Sequence, residues 1–255
     1  MSGWTALILA GSRPGRDAFA EEYGAKFKAL IHVCGTPMVT RVTQALLGSG
    51  SVERIRVLTQ DPVAIADVLP QESRVMLGVS QGSIAQTLEH VMADPETRFP
   101  LLVTTADHAL LDPGMVEDFI AKAQGADMAI GLVEKTPLMQ RLPATKRTWL
   151  KFRGGAYSGA NLFAFATPEA MKAVELWRGV EQDRKKGWRM IAALGPALLM
   201  GSLLRLRTLQ QTLDKVGGKL GLNIRAVEMG DPLAAVDVDK SEDYVLVTAI
   251  LEGRT

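Results

Sequence analysis

Short apolar runs alternate with amphipathic stretches along this chain, and that rhythm predicts its elements. Ala6–Ala10 (ALILA) and Leu101–Thr105 (LLVTT) are apolar without polar alternation, as expected of buried strands, and Ala126–Val133 reads as a further strand. Arg54–Thr59 alternates as a strand, and Val75–Val79 and Ile224–Met229 add two more. Gly154–Phe165 passes from a Gly-rich turn into a further apolar strand. Helical periodicity fills the intervals: Pro37–Leu47, Pro62–Leu69, a stretch through Met92, Met115–Ala123, Pro168–Arg178 and Glu242–Leu251, the last with Ser241 as its N-cap. Trp188–Leu213 reads as a helical insertion, and Leu138–Arg153 as irregular. Strands alternating with helices imply βαβ units joined by right-handed crossovers. The expected fold is therefore α/β, a Rossmann-like three-layer αβα sandwich with a mostly parallel central sheet. No Pro/Gly/Ser linker divides the chain, so one domain carrying a helical insertion over about 170–220 is expected.

Composition narrows the partners. The chain has 255 residues, 47% of them hydrophobic and 22% charged, ordinary values for a globular protein with a substantial core. With a net charge of +1, an anionic ligand must be held by a local cluster, which argues against nucleic acid. The single cysteine, Cys34, excludes an internal disulfide and fits a reducing, cytoplasmic setting; its apolar neighbours predict a packed thiol. The N-terminus lacks the basic region of a signal peptide. Ile191–Leu204, interrupted by Gly195, Pro196 and Gly201, falls short of the roughly 20 apolar residues of a transmembrane segment. Its basic flanks (Lys185, Lys186, Arg189, Arg205, Arg207) leave room for a weak membrane-surface contact or a homodimer contact, with a buried helix pair as the main expectation.

Ligands of open α/β sheets bind beyond the carboxyl ends of the strands. Three features fall there: a loop of Gly11, Ser12, Arg13, Pro14, Gly15 and Arg16; the segment Gln81-Gly82-Ser83; and Asp107. Small residues let backbone N–H groups approach phosphate, and arginines add planar donors. Taken alone the loop is as well read as an ordinary turn, and it fits neither GxGxxG nor GxxxxGK[ST]. A strand-terminal carboxylate beside a phosphate loop suits Mg²⁺, which takes one or two carboxylates plus substrate phosphates. Asp237 and Asp239 sit in a strand-like stretch, so they point to opposite faces and only one is expected at the metal. The three histidines have no zinc spacing, and His108 is open to a substrate contact or a structural role. No GxSxG elbow supports nucleophilic hydrolysis.

Leu9-Ala10-Gly11-Ser12, the Gly/Arg loop, Lys28-Ala29-Leu30, Gly35-Thr36-Pro37-Met38 and Asp239-Lys240-Ser241-Glu242-Asp243-Tyr244 resemble the motifs of nucleotidyltransferases of the glycosyltransferase-A-like fold. That group includes sugar-phosphate uridylyl- and cytidylyltransferases and the molybdenum-cofactor guanylyltransferases. The resemblance implies a single NTP transferase domain over 1–255 and a Mg²⁺-dependent transfer of NMP from an NTP, CTP slightly favoured, to a phosphorylated acceptor, with release of pyrophosphate. The acceptor class is a sugar, polyol or lipid head-group phosphate. Lys28 and Arg16 would stabilise developing charge. Leu9, Ala10, Gly11, Ser12, Arg13, Gly15, Gln81, Gly82, Ser83 and Asp107 would bind nucleotide, and Asp107 with Asp239 the metal. Lys151, Arg153, Tyr157, Ser158, Gly159 and Asn161 would face the acceptor. This chain departs from the pattern at Ser12, at His108-Ala109, and in the long Gly11–Lys28 loop with its acidic pair Glu21-Glu22, a length that fits a lid. The competing readings are a glycosyltransferase using a nucleotide sugar and a non-catalytic nucleotide-binding protein on the same fold.

Overall fold

A computed structural model describes residues 3–12, 15, 17–182 and 206–254. Its central sheet has eight strands. In chain order they are β1 (Trp4–Leu9), β4 (Val52–Thr59), β5 (Val75–Val79), β6 (Leu101–Thr105), β7 (Met128–Glu134), β8 (Leu150–Phe152), β9 (Gly155–Phe165) and β10 (Ile224–Glu228). Across the sheet the order is β10-β7-β9-β6-β1-β4-β5, with β8 paired to β9. β1 runs parallel to β4 and β6, β4 to β5, and β7 to β10, whereas β9 lies antiparallel to β6, β7 and β8. The sheet is thus mostly parallel, and the carboxyl ends of β1, β4, β5, β6 and β7 share one edge.

Strand periodicity splits the core into two layers. On β1, Ala6 and Ile8 join the cluster containing Val39, Val42, Leu46, Val116, Phe119 and Val247. Leu7, one residue out of phase, joins Leu58, Leu88, Val91, Phe165 and Val174 on the other face. The first layer carries α2 (Met38–Gly48), α5 (Pro113–Ala123) and α9 (Ser241–Leu251); the second carries α4 (Ile84–Ala93) and α7 (Met171–Gln182), which pack together, and α8 (Leu209–Leu220). This is the three-layer αβα sandwich. Helix starts follow their caps: Asp112 accepts from the Met115 amide before α5, and Ser83 from that of Gln86 before α4. A Thr208–Gln211 capping box opens α8, and Gly221, left-handed at φ 68°, closes it.

Several expectations change. Leu138–Arg153 is irregular only over residues 142–149, between α6 (Lys135–Arg141) and the β8–β9 hairpin. The insertion expected at Trp188–Leu213 lies largely outside the described residues, and the helix that is described ends seven residues later, at Leu220. Cys34 is exposed rather than packed. It and Gly35, at φ 48° and 76°, form the two-residue turn between β2 (His32–Val33) and β3 (Thr36–Pro37), where both central residues need positive φ. Ser241 is the first residue of α9, whose N-cap is Lys240 without a side-chain cap bond. Residues 236–239 pair in no strand; they follow a 3₁₀ turn at Pro232–Ala235 and are tied to β6 by Val238 N–H donating to the Asp107 carbonyl at 3.1 Å. Among the described residues no helix is long and apolar enough to cross a membrane.

Candidate active site

β1 ends at Leu9, where the parallel ladder lets the chain turn out over the sheet edge. Ala10 N–H still donates to the Leu58 carbonyl at 2.8 Å. Two residues later a side chain takes over that role. Gln60, just past β4, accepts from Ser12 N–H at 2.9 Å through Oε1 and donates to the Ser12 carbonyl at 3.0 Å through Nε2. Gly11 permits this approach, since a Cβ there would lie 2.9 Å from Gln60 Nε2. The root of the loop is therefore pinned from both sides, with Gly11 exposed beside it. Arg13, Pro14 and Arg16 lie outside the described residues, so the expectations placed on Arg13 and Arg16 have no structural counterpart; Gly15 is described, at φ 108°.

The rest of the loop contains a short helix, α1 (Ala18–Glu22), capped by Asp17, and returns to the sheet at the 3₁₀ turn Lys28–Leu30. There the Lys28 ammonium meets two carboxylates. It lies 2.5 Å from Asp107 Oδ2 and also bonds Asp239 Oδ1. Lys28 and Asp107 are mostly buried, at 24% and 18% side-chain exposure, while Asp239 is open at 62%. Burial pulls the lysine pKa down, but attraction and hydrogen bonds from Asp107 and Asp239 outweigh it, and the pKa is raised above the ordinary value. Lys28 is therefore a fixed cation. Asp107 is oriented by the Thr105 hydroxyl, which donates to its Oδ1 at 2.5 Å.

Asp237 and Asp239 take different directions: Asp239 turns to Lys28, and Asp237 turns to Arg147. Asp237 is held by the Arg147 guanidinium and by the Asn161 amide at 3.0 Å. Arg147, at 9% side-chain exposure, also donates to the Asp237 carbonyl at 3.2 Å and lies 3.7 Å from Asp243. Burial raises the Asp243 pKa, with Arg147 opposing, and its carboxylate accepts from the Asp239 amide at 3.3 Å. This buried network frames the turn that presents Asp239. Sequence reading gave Arg147 and Gln60 no role; a lone arginine in a basic stretch and a glutamine after a strand carry no local signal.

His108 is 1% exposed, too buried to meet a substrate directly. Burial lowers its pKa to about 4, although Asp237 and the Ala234 carbonyl lie near enough to favour the charged form; among the described residues neither ring nitrogen makes a well-formed hydrogen bond.

Gln81, Gly82 and Ser83 form the cap of α4. The Gln81 amide donates to Thr87 Oγ1 at 2.9 Å, and a Cβ at Gly82 would lie 2.8 Å from the Gln86 amide oxygen. Gln81, Gly82, Gln86, Glu89 and His90 line a concavity of about 460 Å³. A second one, between α4 and α7, is lined by Met171, Glu175 and Arg178, the last paired with Glu89 at 2.6 Å. Neither is lined by Lys28, Asp107 or Asp239, which sit on the open sheet edge.

On the acceptor side the expected residues separate. Lys151 and Arg153 are exposed around the β8–β9 hairpin, with Arg153 near Gln211 at 3.4 Å. Gly159 is exposed, Tyr157 is half-buried against Phe152, and burial together with Glu228 and Glu134 raises the Tyr157 pKa. Ser158 is buried, and Asn161, at φ 49°, spends its amide on Asp237. The last two are thus not brought to an open surface as acceptor ligands.

Lys28, shared by Asp107 and Asp239, sits at the carboxyl edge of a parallel sheet beside a pinned glycine loop, the place where ligands of open α/β sheets bind. The chain belongs to the family of the MobA-like NTP transferase domain, which matches residues 6–197, and it is a nucleotidyltransferase. None of the curated proteins matches it in sequence. Among solved structures it is similar to a hypothetical transferase from Thermus thermophilus, with 28% identity, a TM-score of 0.79, and coverage of 95% of this chain and 99% of that one. It shares its fold with the 4-diphosphocytidyl-2C-methyl-D-erythritol synthase of Anaerococcus prevotii (10% identity, TM-score 0.62, 98% and 96% covered). The same holds for a CMP:2-keto-3-deoxy-manno-octonic acid synthetase complexed with CTP (15%, 0.60, 99% and 100%).

Nucleotidyltransferases of this family generally use a divalent metal. The donor chemistry is compatible with one: Asp107 and Asp239 both reach one cation, here the Lys28 ammonium, although among the described residues no group of three or more His, Cys, Asp or Glu side chains gathers to hold a metal. Two carboxylates leave the remaining positions of a hard cation to phosphate oxygens and water.

Proposed function

We propose that this enzyme transfers an NMP from an NTP to the phosphate of a small-molecule acceptor and releases pyrophosphate. The observation that carries this reading is the Lys28 ammonium shared by Asp107 and Asp239 beside the Gly11–Ser12 loop. The loop amides face the triphosphate, and Gln60 keeps them in place. An acceptor phosphate oxygen forms the new bond to the α-phosphorus; the bond to the β-bridging oxygen breaks, and its electron pair leaves with pyrophosphate. Both reactants arrive ionised, so alignment and charge stabilisation supply the catalysis without a strong general base. Lys28, a fixed cation, neutralises charge building on the phosphates, and Arg16 is assigned the same task. Mg²⁺ held by Asp107 and Asp239 would supply Lewis-acid charge neutralisation.

The groove along Gln81, Gly82 and Gln86 is assigned to base and ribose, and its volume suits them. CTP is our first choice, on the lead of the names of two fold neighbours. Lys151 and Arg153 remain the candidates for the acceptor phosphate, with Tyr157 and Gly159 beside them.

Pyrophosphate release from each of the four NTPs, screened against sugar, polyol and lipid head-group phosphates, tests this. Release with one NTP–acceptor pair is expected. Lys28→Ala and Asp107→Ala should each lower its rate at least about tenfold, the scale of losing one charge-stabilising contact. Wild-type turnover in either variant would overturn the site assignment. Tight NTP binding without pyrophosphate from any acceptor would favour a nucleotide-binding protein.

A further inference from the structure

The Ser241 hydroxyl, free of any capping duty, donates to the Glu22 carboxylate, 2.9 Å from Oε1 and 2.8 Å from Oε2. One residue on, the Tyr23 ring meets that of Tyr244 with centroids 4.3 Å apart, and Phe19 backs Tyr23 edge-on at 5.2 Å. The extra length of the phosphate loop is therefore fastened to the first turn of α9. Three ties run side by side between the segments 17–28 and 239–244: Glu22–Ser241, Tyr23–Tyr244 and Lys28–Asp239.

Only the third involves a group expected to act on substrate. Asp239 needs the others. It lies in an irregular segment and is 62% exposed, and among the described residues its partners beyond Lys28 reduce to Asp243, which accepts from its backbone amide. When phosphates draw the Lys28 ammonium away, that tie weakens while the Glu22 and Tyr23 ties remain. We propose that Glu22 and Tyr23 are positioning residues that hold Asp239 opposite Asp107 through Ser241 and Tyr244. The α1 segment is then a strut rather than a lid. The inference rests on the nucleotidyltransfer reading of the site.

Two measurements on the full-length protein test it. Hydrogen exchange of the amides at 239–244, read against core amides of β1, reports the strut with no substrate present. Tyr23→Ala and Ser241→Ala should each speed it about tenfold or more, while Tyr23→Phe stays near wild type because the ring contact persists. Unchanged exchange in both variants would overturn the strut whatever the activity does.

Steady-state kinetics then report the positioning. Tyr23→Ala should lower kcat about tenfold, with the nucleotide KM within about threefold, as expected when a group acting in the transition state is misplaced. The Tyr23→Ala/Tyr244→Ala pair should be no slower than either single variant. Faster exchange with wild-type kcat, or an additive pair, would overturn the positioning role. If the wild type releases no pyrophosphate, the functional reading and the positioning role fall together, and the exchange result alone decides the strut.

Discussion

Lys28 answers to two carboxylates that sit far from it in the chain, and the site is best judged by what each can lose. Asp107 is fixed by Thr105 and by the backbone bond to Val238, so it is held more firmly than the exposed Asp239. Gln60 does quieter work. Its amide replaces a missing rung of the β1–β4 ladder at Ser12, and Gln60→Ala removes both hydrogen bonds at once. At about 0.5–1.5 kcal/mol for each bond, and so about 1–3 kcal/mol for the two, the loop should bind triphosphate roughly 5- to 150-fold more weakly. Titration calorimetry with the productive NTP measures this, and an unchanged dissociation constant would mean the loop is held by other contacts. Arg147 is the residue whose importance is structural: removing its buried charge would leave Asp237 and Asp243 close together without a counter-ion.

Elements were legible where their signal is local. The apolar runs of β1 and β6 stand out because two covered faces leave no polar positions, and proline or an Asp/Ser cap announces α4 and α5. Asp112→Ala, which removes the bond to the Met115 amide at 2.8 Å, should cost about 1 kcal/mol. In a chain of this size that lowers the melting temperature by about 2–4 °C, readable by calorimetry. Other facts are not local. A buried apolar run looks the same in either direction, so nothing in Gly155–Phe165 announced that β9 runs against its neighbours. Gln60 meets Ser12 across 48 positions, Arg147 meets Asp237 across 90, and Glu22 meets Ser241 across 219. Each pairing depends on which way a side chain turns after two elements have docked. Ser241 shows the effect most plainly: a serine before a helix is a good cap by composition, and a tertiary partner claimed it instead.

For the whole molecule, His108 sets a sensitivity to acid. It is buried among Asp237, Arg147 and Asp112, and its pKa falls from 6.5 to about 4 on folding. The unfolded chain binds the proton more readily than the native one. Stability is therefore complete above about pH 6.5, declines as pH drops below that, and levels off under pH 4. Between pH 7 and 5 the loss should be roughly 2 kcal/mol, at about 1.4 kcal/mol per pH unit over that interval. Urea denaturation at the two pH values measures it, and His108→Leu should flatten the slope. The order of the chain carries one more consequence. Lys28 finds Asp107 79 residues downstream and Asp239 211 residues downstream. During synthesis β1, β4, β5 and β6 are therefore made long before the carboxylate that completes the cluster. A chain emerging from the ribosome carries Lys28 and Asp107 before it carries Asp239, so the ion-pair cluster closes only after residue 239 has been made.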